Sequence, residues 1–116
     1  MTFNWEFLEQ SGSKEIDAKE IFIGRAGGEG DWLILEHDDK ISRRHARIWL
    51  EDDDWWLEDL GSTSGTYVNG RPLDEEEAWG LTEKDAILLG GTTIRITGMK
   101  YFKTMNLRPP IEPDQQ

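Results

Sequence analysis

A group of basic residues lies between positions 25 and 47 of an otherwise acidic chain: Arg25, Lys40, Arg43, Arg44 and Arg47. Residues 40–47 hold four of them, contain no acidic residue and include Ser42. A guanidinium group can donate two parallel hydrogen bonds to an oxyanion, and a serine hydroxyl can donate another. These residue types at this spacing suit one phosphate group. On composition alone, however, the favoured interpretation is a solvated loop whose arginines pair with the flanking acidic stretches, residues 36–39 and 51–54.

The composition excludes several classes of protein. The chain has 116 residues, 24 acidic and 13 basic side chains, a formal charge of −11 and no cysteine. A general nucleic-acid binder would need a basic face, and a disulfide framework or thiolate zinc site would need cysteine. No apolar run approaches the ~20 residues of a membrane span, and the first ten residues lack the layout of a signal peptide. We therefore expect a cytoplasmic protein with neither a nucleic-acid nor a membrane partner.

Alternation of apolar and polar residues predicts the elements that must position the basic group. A period of two indicates half-buried strands, and it occurs in residues 3–7, 21–23, 46–50, 55–57, 87–89 and 94–96. A short apolar run covers residues 32–35. Turn signals separate these segments, at residues 11–13, 26–28, 52–54, 61–65, 69–70 and 90–91. Residues 74–84 are the only helix candidate, and Gly80 interrupts them. The pattern predicts a small all-β sandwich or barrel with one core.

The sharpest local prediction is a hairpin at Asn69-Gly70. A type I′ turn needs positive φ at both central residues, and this dipeptide adopts it at little cost. Beyond residue 102 the composition changes, because residues 108–116 are polar and rich in proline. We therefore divide the chain into a domain, residues 1–102, and a flexible tail or linker, residues 103–116.

Three motifs in this order resemble the forkhead-associated (FHA) domain family. They are Gly24-Arg25, then Ser42-Arg43-Arg44-His45-Ala46, then the block from Asp59 to Gly70. The resemblance covers roughly residues 2–101. It implies an FHA-like (SMAD/FHA) antiparallel β-sandwich of about eleven strands, with the ligand loops at one end. It also implies binding of phosphothreonine in partner proteins of Ser/Thr kinase signalling.

The resemblance assigns roles to the residues of the basic group. Arg25 would pair with the phosphate, and Ser42 and Arg43 would donate further hydrogen bonds to it. Thr63 would support the phosphate and line the pocket for the threonine methyl group. Ser64 stands where the family commonly has an asparagine that grips the ligand backbone, so a shorter hydroxyl replaces an amide there. The residues that would support the binding loops are Gly24, His45, Gly65, Asn69 and Gly70.

Other functions fit the sequence less well. Ser42, His45 and Asp59 could be drawn as a hydrolase triad, but the chain has no nucleophile-elbow motif. The aspartates at 52–54 lack the alternating spacing of a calcium loop, and the two histidines lack a zinc-ligand spacing. We therefore expect no catalytic residue, metal or cofactor. An interaction domain that kept the fold but binds without phosphate is the remaining alternative. A further hypothesis is self-recognition through Thr104, because Leu107 follows it at the third position.

Overall fold

The computed structural model describes residues 1–99, which form eleven strands and contain no helix that could span a membrane. The strands are β1 Thr2–Phe7, β2 Gln10–Glu15, β3 Glu20–Gly24, β4 Asp31–Ile34, β5 Ala46–Glu51, β6 Asp54–Asp59, β7 Thr66–Val68, β8 Arg71–Pro72, β9 Trp79–Gly80, β10 Ile87–Leu89 and β11 Thr92–Thr97. The predicted all-β fold is confirmed. The predicted tail, residues 103–116, and Thr104 lie outside the described residues.

The strands pack as two sheets. One sheet has the order β2-β1-β11-β10-β7-β8, and the other has the order β4-β3-β5-β6-β9. The pairs whose register is resolved are antiparallel, except that β4 runs parallel to β3. Residues 25–30 lead the chain back along the sheet edge, so that Asp31 starts β4 beside Ile21. The antiparallel prediction is therefore correct for the sandwich but not for this edge strand.

The core consists of the inward-facing residues of both sheets. Alternation places every second side chain of a strand on the inner face, and these residues are at most 1% exposed: Phe3, Ile21, Ile23, Ile48, Leu57, Ile87, Leu89, Ile94 and Ile96. Burying each such side chain stabilises the fold by roughly 1.5–3 kcal/mol. The core thus supplies a rigid frame from which the connecting loops emerge.

Two turn predictions have opposite outcomes. The hairpin at Asn69-Gly70 is confirmed, with φ angles of 53° and 86° between β7 and β8. The turn expected at residues 11–13 is wrong, because these residues lie within β2. A Cβ at Gly12 would come within 2.5 Å of the Trp5 ring, so this glycine makes room for an indole. The turn that joins β1 to β2 lies instead at Leu8 and Glu9.

Candidate functional site

Three loops meet at one end of the sandwich: a first loop of residues 25–30, a second of residues 35–45 and a third of residues 60–65. The amide of Arg25 donates to the carbonyl of Ser42 at 3.1 Å, which joins the first loop to the second. The amide of Thr63 donates to Ser42 Oγ at 3.0 Å, which joins the third loop to the second. The fold therefore brings together predicted site residues that are far apart in the sequence.

Gly24 permits this close approach of the first two loops. A Cβ on Gly24 would lie 2.0 Å from the carbonyl oxygen of Arg43, far inside any real contact distance. The residue at the end of β3 must therefore be glycine for Arg25 to reach the second loop.

His45 holds the second and third loops together from within the protein. It is fully buried, accepts a hydrogen bond from the Ser42 amide at Nδ1 over 3.0 Å, and bonds the Gly65 carbonyl through Nε2 over 2.9 Å. Because Nδ1 accepts, the proton of the neutral ring is on Nε2. Burial lowers the pKa of His45, although the Gly65 carbonyl and Asp59 act in the opposite direction. The neutral ring is thus the form that fits this position.

The geometry does not form a hydrolase triad. The His45 ring bonds to the backbone amide of Ser42 rather than to its hydroxyl, and Ser42 Oγ accepts from Thr63. A nucleophile–base pair would need the hydroxyl to donate to the ring. Asp59 instead orders the third loop, because its carboxylate accepts from both the amide and the hydroxyl of Ser62 and from the hydroxyl of Thr66.

Asp38 is a buried residue of the site that sequence reasoning counted only as a flanking acid. It is 1% exposed and accepts from the Lys40 amide at 3.0 Å, the Gly91 amide at 2.7 Å and the Thr92 hydroxyl at 2.8 Å. Burial raises the pKa of Asp38, but these hydrogen bonds outweigh it and hold the pKa below its usual value. Asp38 therefore anchors the second loop to the β10–β11 turn. A short-range signal existed, since an aspartate that bonds the amide two residues on is a common turn motif.

The basic group of the sequence is divided in space. Arg47 points to the solvent side of the five-stranded sheet, where it pairs with Glu20 at 2.7 Å and Glu58 at 2.8 Å. Arg44 lies over the Phe22 ring, 4.7 Å from its centroid. The expectation of one basic cluster is therefore corrected, because Arg44 and Arg47 both lie against the solvent side of the five-stranded sheet, whereas Arg25 stays at the loops.

Arg25 remains at the loops with most of its donors unused. Its Nε donates to the Ile41 carbonyl at 2.6 Å, which fixes the direction of the half-buried guanidinium. Within residues 1–99 neither Nη group has a partner, and no carboxylate pairs with Arg25, Lys40, Arg43 or Arg44. The Ser42 hydroxyl accepts from Thr63 and retains its own proton for donation. The described loops therefore carry several donors that no described carboxylate compensates, and uncompensated donors of this kind are what an oxyanion requires.

Comparison with known proteins identifies the family. The model of the FHA domain matches residues 21–90. This chain belongs to the FHA domain family. The solved structure of the FhaA FHA domain complexed with the intracellular domain of Rv3910 has 29% identity and a TM-score of 0.63, over 80% of this chain and 97% of that one. A structure from an analysis of phosphothreonine-dependent FHA domain interactions has 27% identity and a TM-score of 0.64, over 85% and 100%.

The curated relatives are longer than this FHA domain. FhaB of Mycobacterium tuberculosis is 41% identical over 54 residues, which are 47% of this chain and 33% of that protein. The chain thus spans about a third of the length of such relatives. FHA domains are interaction modules, so the comparison describes a binding domain and not a catalytic one.

The other predicted site residues of this FHA domain lie partly in the third loop and partly at the opposite end of β7. Thr63 is exposed in the third loop, beside Ser64 and Gly65. The Ser64 hydroxyl donates to the carbonyl of Lys40, so its proton is already used within the protein. Asn69 and Gly70 are not brought to the loops. They lie at the other end of β7, where the Asn69 side chain bonds Asp85 and the amide of Ala86.

Proposed function

We propose that this FHA domain binds phosphothreonine in segments of partner proteins, as a cytoplasmic reader of Ser/Thr kinase signalling with no catalytic activity of its own. The observation that supports this most directly is the state of Arg25 and Ser42. Their side chains are oriented by bonds to Ile41 and Thr63, yet each keeps donors that no described residue accepts. The FHA structures with related sequences concern phosphothreonine-dependent interactions and a protein complex, which are consistent with the same use here.

A phosphothreonine matches these donors in charge and number. It carries roughly −1.5 to −2 charges and three acceptor oxygens. The Nη groups of Arg25 can bind two oxygens, the Ser42 hydroxyl can bind another, and the exposed Arg43 adds positive charge. We assign Thr63 to the pocket for the threonine methyl group, because its amide is fixed on Ser42 Oγ. Burying that methyl contributes about 0.8 kcal/mol, so preference over phosphoserine from this contact is roughly fourfold.

In this proposal three residues support the binding loops: Gly24, His45 and Gly65. Gly24 lets the first two loops touch, and the His45 ring joins the backbone of Ser42 to that of Gly65. Ser42 is thereby held by its amide, by its carbonyl and by its hydroxyl. Such a clamp positions the hydroxyl before ligand arrives, so that little ordering is left to the binding step.

The total charge of −11 does not prevent phosphate binding at this place. At physiological salt the screening length is about 8 Å, so the donors at the loops outweigh carboxylates elsewhere on the surface. The acidic remainder slows the approach of acidic peptides and favours ligands with basic or apolar flanks.

The decisive experiment is a calorimetric titration of the full chain with matched peptides selected from an oriented phosphothreonine library. We expect binding of the phosphothreonine peptide, about fourfold weaker binding of its phosphoserine counterpart, and no measurable binding of the unphosphorylated peptide. Equal affinity for the phosphorylated and unphosphorylated peptides would refute the proposal. That result would instead support a phosphate-independent interaction domain.

A further inference from the structure

An aromatic surface covers the solvent side of the five-stranded sheet. Its members are Phe22, Trp32, Trp49 and Trp56, which we call the outer face, and each is partly exposed. Strand register places Phe22 beside Trp32 and Trp49 beside Trp56. Three of the six tryptophans of a chain with only 36% apolar residues therefore lie outside the core. Half-buried rings grouped on the solvent side of a sheet point to an interaction surface.

The polar atoms of these indoles are already satisfied within the protein. Trp32 Nε1 donates to the Glu29 carbonyl at 2.9 Å, and Trp56 Nε1 donates to the Glu51 carbonyl at 3.3 Å. Trp49 Nε1 donates to the Glu51 carboxylate at 2.8 Å. What the outer face offers to a partner is therefore ring surface with carboxylates around it.

One tryptophan of the outer face already binds a cation from within the protein. The Arg47 guanidinium lies 4.2 Å from the centroid of the Trp49 ring, with Glu20 and Glu58 as its two ion-pair partners. A cation on an indole face with carboxylates at its edge combines ring attraction with charge pairing.

Trp32 and Trp56 combine an indole face with nearby glutamates, and no cation of residues 1–99 stacks on either ring. Trp32 lines a groove of about 560 Å³ together with Glu20, Glu29 and Arg44, and in that groove the Arg44 guanidinium lies over the Phe22 ring. The Trp56 indole bonds Glu51, which lies beside the turn of the β5–β6 hairpin. Within residues 1–99 the only cations that stack on this face are Arg44 on Phe22 and Arg47 on Trp49. Both indoles are therefore open to a cation supplied by another molecule.

We propose that the outer face binds an arginine- or lysine-rich segment of a partner protein, with cationic side chains stacked on Trp32 and Trp56. Charge supports this occupant, because the face carries Glu20, Glu29, Glu51 and Glu58 against two arginines, and the whole chain carries −11. A second copy of the chain brings the same negative charge and is repelled. The face borders the phosphate site through Arg44, which lies two residues after Ser42.

The test titrates the full chain with an unphosphorylated peptide of alternating glycine and arginine, and follows the indole N–H signals by NMR. We expect shifts at Trp32 and Trp56, and at least tenfold weaker binding in the Trp32→Leu, Trp56→Leu double variant. A peptide with glutamate in place of arginine should not bind. Equal affinity of the variant and the wild type, or equal binding of the glutamate peptide, would overturn the proposal.

A charge-matched pair of variants covers the case in which the double variant fails to fold. Glu29→Gln removes a carboxylate from the groove, and Glu75→Gln removes one from an exposed turn outside it. Only the first should weaken binding of the arginine peptide, and equal weakening by both would contradict a specific site.

Self-association in the absence of peptide, seen by sedimentation and abolished in Glu29→Gln, would assign the face to a second copy instead. Arg25→Ala should leave arginine-peptide binding unchanged, so this proposal and the phosphothreonine proposal fail separately.

Discussion

Arg25 and Arg47 come from the same basic segment of the sequence but occupy contrasting regions of the molecule. Arg47 lies on a sheet, where the register of β5 with its neighbours sets it between Glu20 and Glu58. Arg25 lies at the start of a loop, where its side chain bonds one backbone carbonyl and no carboxylate within residues 1–99. The ion pairs neutralise one arginine, and their absence leaves the other available. Carboxylate pairing, and not the density of positive charge, therefore separates a binding region from a solvated one.

Replacing each of these two arginines by alanine should give very different changes in peptide affinity. Arg25→Ala should weaken phosphothreonine-peptide binding at least ~100-fold, since it removes a charge-assisted contact to the phosphate. Arg47→Ala should change that affinity less than about twofold and should lower the free energy of unfolding by about 1 kcal/mol, because it loses partly exposed ion pairs. Calorimetric titration and urea unfolding of both variants measure the two quantities. Similar losses of affinity in both variants would show that carboxylate pairing does not distinguish the two arginines.

A smaller effect concerns pH and the clamp behind the loops. Burial lowers the pKa of His45 below its ordinary value of 6.5. Just below pH 6.5 the unfolded chain therefore binds a proton at this histidine and the folded chain does not. This contribution to stability is complete above pH 6.5 and declines as the pH falls through the lower pKa of the folded state. Urea unfolding at pH 7.5, 6.5 and 5.5 should show the decline. The lowered pKa values of Asp38 and Asp59 stabilise the fold above pH 3.8, so their contribution does not change between pH 7.5 and 5.5 and is lost only at more acidic pH.

The control for the pH experiment is His45→Gln, whose amide can accept from Ser42 and donate to Gly65 without titrating. We expect a flatter stability profile between pH 7.5 and 5.5 in this variant. An unchanged slope would show that another group causes the decline. Peptide affinity is not used as the readout here, because the phosphate itself gains a proton near pH 6.

The smallest expected effect tests the third loop. Ser64 uses its hydroxyl proton on Lys40, so it has none to offer to a ligand backbone. Ser64→Asn introduces an amide with longer reach and both donor and acceptor groups, and we expect phosphothreonine-peptide binding to become about threefold to tenfold tighter. A loss of affinity in the same titration would show that the Ser64–Lys40 bond, rather than the ligand contact, governs binding.

Local patterns predicted much of the fold and part of the site. Alternation located the strands because one face of each is buried, and Asn69-Gly70 marked its hairpin because few dipeptides tolerate two positive φ angles. The turn expected at Gly12 failed, because that glycine is required by an indole on the neighbouring strand. Asp38 was missed as a structural residue, because its partners Gly91 and Thr92 follow it by more than fifty positions.

The amino-acid sequence alone was enough to predict an all-β domain of the FHA family and to place its proposed phosphate donors within residues 25–64. Motif order and residue type carry that information, since both are properties of the chain before it folds. The folded structure was needed to show which cations are neutralised, which hydroxyls keep a free proton and which tryptophans lie on the solvent side of a sheet. Ion pairs such as that of Arg47 with Glu20, and clamps such as that of His45 on Gly65, join residues about twenty or more positions apart. Contacts of this kind exist only once the strands are in register.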